Sequence, residues 1–184
     1  MKAIVPFRGI KTGKTRLRER LEDKAVERLL EEMLSNTLTV LHALHFEPVI
    51  VTADVEVKND YPREVIILDA GESLQGAISQ ALDNFDVKEN ILFVMPDLPF
   101  INVQSLEHFC SKKGERKVVP AFDGGIAIAY GKPKWIRKIP FGKDSFKKLS
   151  AIFPDVEVIW DENLGFDLDT YEDFLKWKNM VKES

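Results

Sequence analysis

Residues 6–20 read PFRGIKTGKTRLRER and hold six cations, Arg8, Lys11, Lys14, Arg16, Arg18 and Arg20, among two glycines and two threonines. Glycines that free the backbone N–H groups, together with several cations, are what a polyphosphate requires. Arginine can grip phosphate oxygens with two parallel bonds, while lysine acts as a mobile point charge. A nucleotide-binding P-loop needs four residues between its first glycine and the Gly-Lys pair. Only Ile10, Lys11 and Thr12 stand there, so the stretch is a phosphate loop of another kind, a solvated basic turn or a weak nucleic-acid patch.

Two acidic stretches could hold a metal beside such a loop. In MPDLP, Asp97 ends a strongly apolar run between Pro96 and Pro99. A carboxylate fixed there suits a Mg²⁺ that bridges nucleotide phosphates, although an ordinary turn aspartate explains it equally well. In LGFDLDTYEDF, an extended backbone sends Asp167 and Asp169 to one face and Phe166 and Leu168 to the other. Helix capping accounts for Thr170 and Asp173 but leaves the Asp167/Asp169 pair unexplained. A fourth stretch, Ile139–Leu149, sets Gly142, Lys143 and Ser145 ahead of a helix, where they form either a small anion site or a simple cap. His42 and His45 fall in or at the end of one expected helix and His108 in another, none after a strand, so no general base stands out.

The elements that must position these groups alternate. Apolar runs at Ala3–Phe7, Pro48–Thr52, Val65–Leu68, Asn90–Met95, Lys117–Phe122, Gly124–Tyr130 and Glu157–Trp160 read as strands. Helices are expected at Lys24–Leu44, where Leu29, Leu30, Met33, Leu34, Leu38 and Leu41 recur at helical spacing, and at Leu74–Phe85, opened by a Gly71-Glu72-Ser73 cap region. Further helices are expected at Val103–Lys112, Ser145–Ala151 and Tyr171–Val181. This order implies an α/β fold, a mainly parallel sheet with helices on both faces, whose ligands sit past the carboxyl ends of the strands.

The 184 residues, 45% hydrophobic and 30% charged, suit one domain with its own core. A net charge of −4 gives no global attraction to nucleic acid or anionic membrane. The single cysteine, Cys110, excludes an internal disulfide and fits a reducing cytosol, and it is expected to pack on a helix face. No signal peptide and no apolar run near the ~20 residues of a membrane span is visible. The dense, mixed charge is that of a heat-adapted cytosolic protein.

Taken together, these stretches resemble the 2-phospho-L-lactate guanylyltransferase family, a branch of the MobA-like nucleotidyltransferases. Pro6, Arg8 and Lys14-Thr15-Arg16-Leu17 match its proline-basic loop, and Asp97-Leu98-Pro99 its central Asp-Leu-Pro. Phe141-Gly142-Lys143-Asp144-Ser145-Phe146 matches its Phe-Gly-x-x-Ser-Phe element, and Asp167-Leu168-Asp169-Thr170-Tyr171-Glu172-Asp173 its closing acidic motif. Two elements depart. Gly125-Ile126-Ala127-Ile128 stands where the family usually has Gly-Thr-Asn-Ala, and Leu74-Gln75-Gly76-Ala77 where it has Leu-Asn-Ala-Ala.

The resemblance implies a Rossmann-like mixed, mostly parallel sheet of the nucleotide-diphospho-sugar transferase kind. It also implies GMP transfer from GTP to the phosphate of 2-phospho-L-lactate, or of phosphoenolpyruvate, for deazaflavin coenzyme assembly. In that reading Lys14 and Arg16 hold the triphosphate and departing pyrophosphate, and Asp97, Asp167 and Asp169 hold Mg²⁺. Arg8, Lys14, Thr15 and Gln75 bind the nucleotide, Gly142 and Ser145 orient the acceptor, and a homodimer is admitted. The rivals are a MobA-like transferase with a molybdopterin or sugar-phosphate acceptor, a non-catalytic nucleotide-binding relative, and a P-loop NTPase.

Overall fold

In the computed structural model, which describes residues 1–70 and 73–183, β1 (Lys2–Pro6) is an inner strand of a seven-stranded sheet. It pairs in parallel with β2 (Glu47–Thr52) on one side and with β4 (Ile91–Val94) on the other. The full order is β3-β2-β1-β4-β6-β5-β7, with β3 at Val65–Leu68, β5 at Lys117–Pro120, β6 at Ile126–Gly131 and β7 at Glu157–Val158. Only β6 runs against its neighbours, so the sheet is mixed but mostly parallel. Strand order reverses between β1 and β4, and the crevice past their carboxyl ends is where such sheets bind ligands.

Both faces are covered, because alternate strand residues point to opposite sides. One core gathers Ala3, Val5, Leu92 and Val94 under α2 (Asp23–Ala43) and α5 (Val103–Ser111). Helix α2 presents the stripe Val26, Leu29, Leu30, Met33, Leu34, Leu38 and Leu41 to it. The second core gathers Ile4, Ile91 and Phe93 under α4 (Leu74–Leu82) and α7 (Ser145–Ile152). The C-terminal α9 (Tyr171–Glu183) leans on the first core through Phe174 and Trp177.

Several elements differ from the sequence reading. Four single-turn helices, α1 (Thr15–Arg18), α3 (Val57–Asp60), α6 (Pro133–Ile136) and α8 (Glu162–Gly165), stand where connections were expected, since one turn is too short to show a period. The strand expected to run through Phe122 stops at Pro120. A turn follows in which Gly124 adopts φ +88° and donates to the Ala121 carbonyl, so β6 starts at Ile126 rather than Gly124. Helix α4 ends at Leu82 and β7 at Val158, both short of the expected limits. Of the expected cap region, Gly71 and Glu72 lie outside the described residues, while Ser73 caps α4 by accepting from the Gly76 N–H at 3.0 Å.

Candidate active site

The loop after β1 is shaped by its own backbone and by Arg18. Gly9 sits at φ +98° with Asp54 packed where a Cβ would go, so no side chain fits there. The Gly13 N–H donates to the Gly9 carbonyl at 3.2 Å. Arg18 reaches back to donate to the Gly13 and Ile10 carbonyls at 2.9 and 2.5 Å and pairs with Asp23, which makes it a staple of the loop. Lys11 pairs with Glu56 in solvent, and Arg20 lies over the Tyr171 ring. Arg8, Thr15 and Arg16 are exposed on the outer side of the loop and of α1.

Lys14 behaves differently. It ends the loop in a left-handed conformation, φ 55°, and its side chain turns inward until it is 10% exposed. There its ammonium donates to Asp97 Oδ2 at 2.5 Å and to Asp169 Oδ1. Burial is the largest single influence on Lys14 and pulls its pKa down. The charges and hydrogen bonds of Asp97 and Asp169 together outweigh it and hold the pKa above its usual value.

Asp97 lies past the end of β4 and is buried, and its carbonyl accepts from the Leu168 N–H at 3.0 Å. That bond locks the Asp167-Leu168-Asp169 segment beside it. As the alternation implies, Phe166 and Leu168 are buried in the core while Asp167 and Asp169 are half-buried at the site. Thr170 and Asp173 do form the cap. The Asp173 carboxylate accepts from the Thr170 N–H and hydroxyl at 2.9 and 2.7 Å, and its own N–H donates back to the hydroxyl.

These groups open on a cavity of about 150 Å³ lined by Asp97, Asp123, Asp167, Asp169 and Ser145, with Met95, Ile126 and Phe141 among its apolar wall. No lysine or arginine lines it among the described residues. Asp123 is the residue the sequence reading missed. It sits in the β5–β6 turn, where Oδ1 accepts from the Gly125 N–H at 2.6 Å. Carboxylate oxygens of Asp123, Asp167 and Asp169 lie within 4.8 Å of one another, a grouping that could hold a metal ion. The Asp-Gly-Gly that follows a strand was the available signal, since it marks a turn at the strand's carboxyl end. Asp167 feels this crowding: burial, then the charges of Asp123 and Asp97, push its pKa up to about 7.

Two buried polar atoms in the cavity have no hydrogen-bond partner, Asp97 Oδ1 and Ser145 Oγ. Ser145 opens α7 behind Gly142, whose φ of +118° lets the chain turn into the helix with open space around its Cα. Gln75 does not point an amide at the cavity. Its Nε2 donates to the Arg137 carbonyl and its Oε1 accepts from the Phe141 N–H, both at 3.2 Å. It thereby clasps the loop that carries Gly142 and Ser145, while Phe141 packs on Phe93 with ring centroids 4.4 Å apart. The structure therefore brings Lys14, Asp97 and Asp169 into contact and sets Asp167, Gly142 and Ser145 around the same cavity. Arg8, Thr15, Arg16 and Gln75 do not line it.

The histidines stand elsewhere: none lines the cavity, and His42 bonds Glu64 at 2.9 Å. Cys110 lies on α5, where burial pushes its thiol pKa up, away from nucleophilic behaviour.

A mixed sheet of this order, with a basic, glycine-bearing loop after its first strand and carboxylates after its fourth, is the fold of the nucleotidyltransferases, and the chain is one. Over its full length it superposes on a protein described as a nucleotide-diphospho-sugar transferase from Desulfovibrio desulfuricans, with TM-score 0.80 and 18% identity, covering 88% of that chain. It also superposes on 4-diphosphocytidyl-2C-methyl-D-erythritol synthase from Anaerococcus prevotii, with TM-score 0.66 and 14% identity over 98% of this chain and 97% of that one. Residues 1–175 match the family described as "Guanylyl transferase CofC like", and the chain belongs to that family. It is 32% identical over 154 residues to the 2-phospho-L-lactate guanylyltransferase of Methanocaldococcus jannaschii, covering 80% of this chain and 67% of that one. It is 26% identical over 184 residues to the phosphoenolpyruvate guanylyltransferase of Sphaerobacter thermophilus, covering 93% and 89%. Nucleotidyltransferases of this kind generally use divalent metal ions. Among the described residues no helix is long and apolar enough to cross a membrane.

Proposed function

We propose that the chain transfers GMP from GTP to the phosphate of a phosphorylated three-carbon acid, 2-phospho-L-lactate or phosphoenolpyruvate. An acceptor phosphate oxygen attacks the α-phosphorus, the bond from that phosphorus to the β-phosphate oxygen breaks, and pyrophosphate leaves. The observation that carries the reading is the contact of Lys14 with Asp97 and Asp169 at the β1/β4 crevice, beside two buried and unpartnered oxygens.

A phosphate monoester has a second pKa of about 6 and is mostly dianionic at neutral pH, so it attacks without a base. A cavity without histidine suits that nucleophile. What the site must supply is charge neutralisation and in-line placement. Lys14, with Arg16 and Arg8 further out on the loop and Thr15 beside it, attracts the triphosphate. Ser145 Oγ and the backbone around Gly142 donate to the acceptor, and Gln75 acts by holding their loop.

Asp97 Oδ1, buried without a partner, and the close oxygens of Asp123, Asp167 and Asp169 fit a hard divalent cation, for which we propose Mg²⁺ held by Asp97, Asp167 and Asp169. Bound there, it supplies positive charge to phosphate oxygens on the reacting groups. The reading includes a single cytosolic domain, two copies in the working enzyme, and a product used in deazaflavin coenzyme assembly.

The test is pyrophosphate release with Mg²⁺, each of the four nucleoside triphosphates, and either acid. Acceptor-dependent pyrophosphate, greatest with GTP, is expected. Free phosphate without pyrophosphate refutes the transferase in favour of an NTPase, and nucleotide binding without turnover of either acid refutes it in favour of a non-catalytic relative.

A further inference from the structure

Lys14 is the one cation of the opening loop whose ammonium enters the site, and it spends both of its strong contacts on carboxylates. Its side chain and that of Asp97 are each 10% exposed, so the pair is largely shielded from water, and Asp169 closes the other side. The oxygens that Lys14 occupies, Asp97 Oδ2 and Asp169 Oδ1, belong to two of the carboxylates that the proposed function gives to the metal.

We infer that Lys14 and the divalent cation compete for the Asp97–Asp169 pair, which couples metal binding to nucleotide binding. The inference rests on the proposed function for the identity of both ligands. A cation that takes oxygens of these carboxylates at ~2.1 Å, Asp97 Oδ1 among them, would stand close to an ammonium 2.5 Å from Asp97 Oδ2, and the two positive charges repel in a site largely shielded from water. A metal entering alone therefore either sits against that ammonium or displaces it and leaves it desolvated without a partner, and both are costly for buried charges. A triphosphate changes this balance, because its oxygens give Lys14 another anion. The metal then takes the carboxylates as Lys14 takes the phosphates. Coupling of this kind is reciprocal, so the nucleotide tightens the metal by the factor with which the metal tightens the nucleotide. Asp123 and Asp167 keep the cavity acidic throughout, and they set the weak attraction that a lone metal still feels.

The test reads metal affinity rather than turnover. Mn²⁺, an oxygen-preferring stand-in visible by electron paramagnetic resonance, is titrated into the nucleotide-free full chain as wild type, Lys14→Met, Lys11→Met and Asp97→Asn. Removing a cation that occupies the ligands should tighten Mn²⁺ at least tenfold in Lys14→Met, while Asp97→Asn weakens it. Lys11, paired with Glu56 in solvent, controls for a general charge effect, and its variant should stay within about twofold of wild type. Lys14→Gln, which keeps a donor but not the charge, should fall between wild type and Lys14→Met. It stands in if Lys14→Met does not fold in chelator. Mn²⁺ should also raise the melting temperature of the Lys14 variant more than that of wild type.

Equal or weaker Mn²⁺ binding in both Lys14 variants overturns the competition while leaving the proposed metal site standing. Equal tightening in Lys11→Met also overturns it. If Asp97→Asn binds Mn²⁺ as wild type does, the metal assignment in the proposed function has failed, and this inference falls with it.

Discussion

Asp167→Asn should stabilise the metal-free protein, and do so increasingly as the pH rises. Asp167 is half-buried among Asp123, Asp97 and Asp169, and its pKa is about 7 in the folded chain against an ordinary 3.8. Between those values the folded state keeps a proton that the unfolded state has released. Stability therefore falls as pH rises through this window, and the full penalty is present above about pH 7. At about 1.36 kcal/mol per pH unit, raising the carboxyl from 3.8 to about 7 corresponds to ~4 kcal/mol. Because the group is partly open to solvent, screening reduces this to roughly 2 kcal/mol. The asparagine carries no such penalty. In urea denaturation with chelator, its advantage over wild type should grow by roughly 1–2 kcal/mol from pH 5 to pH 8. Adding Mg²⁺ at pH 8 should erase most of that growth by stabilising the wild type. An advantage that does not change with pH would refute the argument that the aspartates crowd one another.

Asp97→Asn should lower acceptor-dependent pyrophosphate release by ~10²–10³-fold, the scale for losing one preorganised charge interaction. Its far-ultraviolet dichroism should be unchanged, and full activity would remove Asp97 from the metal site. Gln75→Ala should raise KM for the acceptor several-fold and leave KM for GTP alone, because Gln75 holds the Phe141–Ser145 loop from outside the cavity. Steady-state kinetics with each substrate varied would show the reverse pattern if Gln75 touched the nucleotide. Lys117→Met should cost ~2–4 kcal/mol in urea denaturation at unchanged turnover per folded molecule. Lys117 is 1% exposed and donates to the carbonyls of Phe109, Cys110 and Lys112 at the end of α5, and the variant leaves these without their donor. A loss below ~1 kcal/mol would mean that water replaces the ammonium there.

Most of the sheet was legible because its inner strands are buried on both faces and so read as unbroken apolar runs. Ile91–Val94, buried at every position, and the stripe on α2 stand where those patterns put them, and the apolar run Val65–Leu68 forms a partly exposed edge strand. The hairpin between β5 and β6 was less legible: Ala121 and Phe122 extend the apolar run, but the chain turns there on Gly124, and Asp123 went unnoticed as a result. Lys117 was invisible for a different reason. A lysine at the start of a strand reads as an exposed end, whereas here it fills a pocket over Tyr130, 4.5 Å from the ring centre. The partners of Lys14 lie 83 and 155 residues away, a pairing that no local pattern could disclose. Local spacing singled out Lys14, Asp97, Asp167 and Asp169 as candidates, but only the fold shows that Lys14 meets Asp97 and Asp169, and that Arg8, Thr15, Arg16 and Gln75 stand off the cavity.

Ile126 and Ala127, where the chain departs from the family's usual Thr-Asn, both line the cavity wall. Ile126 joins the core around Phe93 and Ala127 the one around Val94, so each is held by packing. The backbone they share still sets the frame, since the Met95 N–H donates to the Ala127 carbonyl at 2.9 Å just ahead of Asp97. Replacing polar side chains there removes donors from the cavity wall without moving the carboxylates. Among the described residues, the cavity keeps Ser145 and the loop clasped by Gln75, and in the proposed function the positive charge comes from Lys14 and from the metal. An acceptor carrying both a phosphate and a carboxylate would then meet four aspartates and, among the described residues, no lining lysine or arginine until that charge is in place. On that reading acceptor binding is expected to follow nucleotide and metal, and initial-rate kinetics in which the acceptor binds first would refute it.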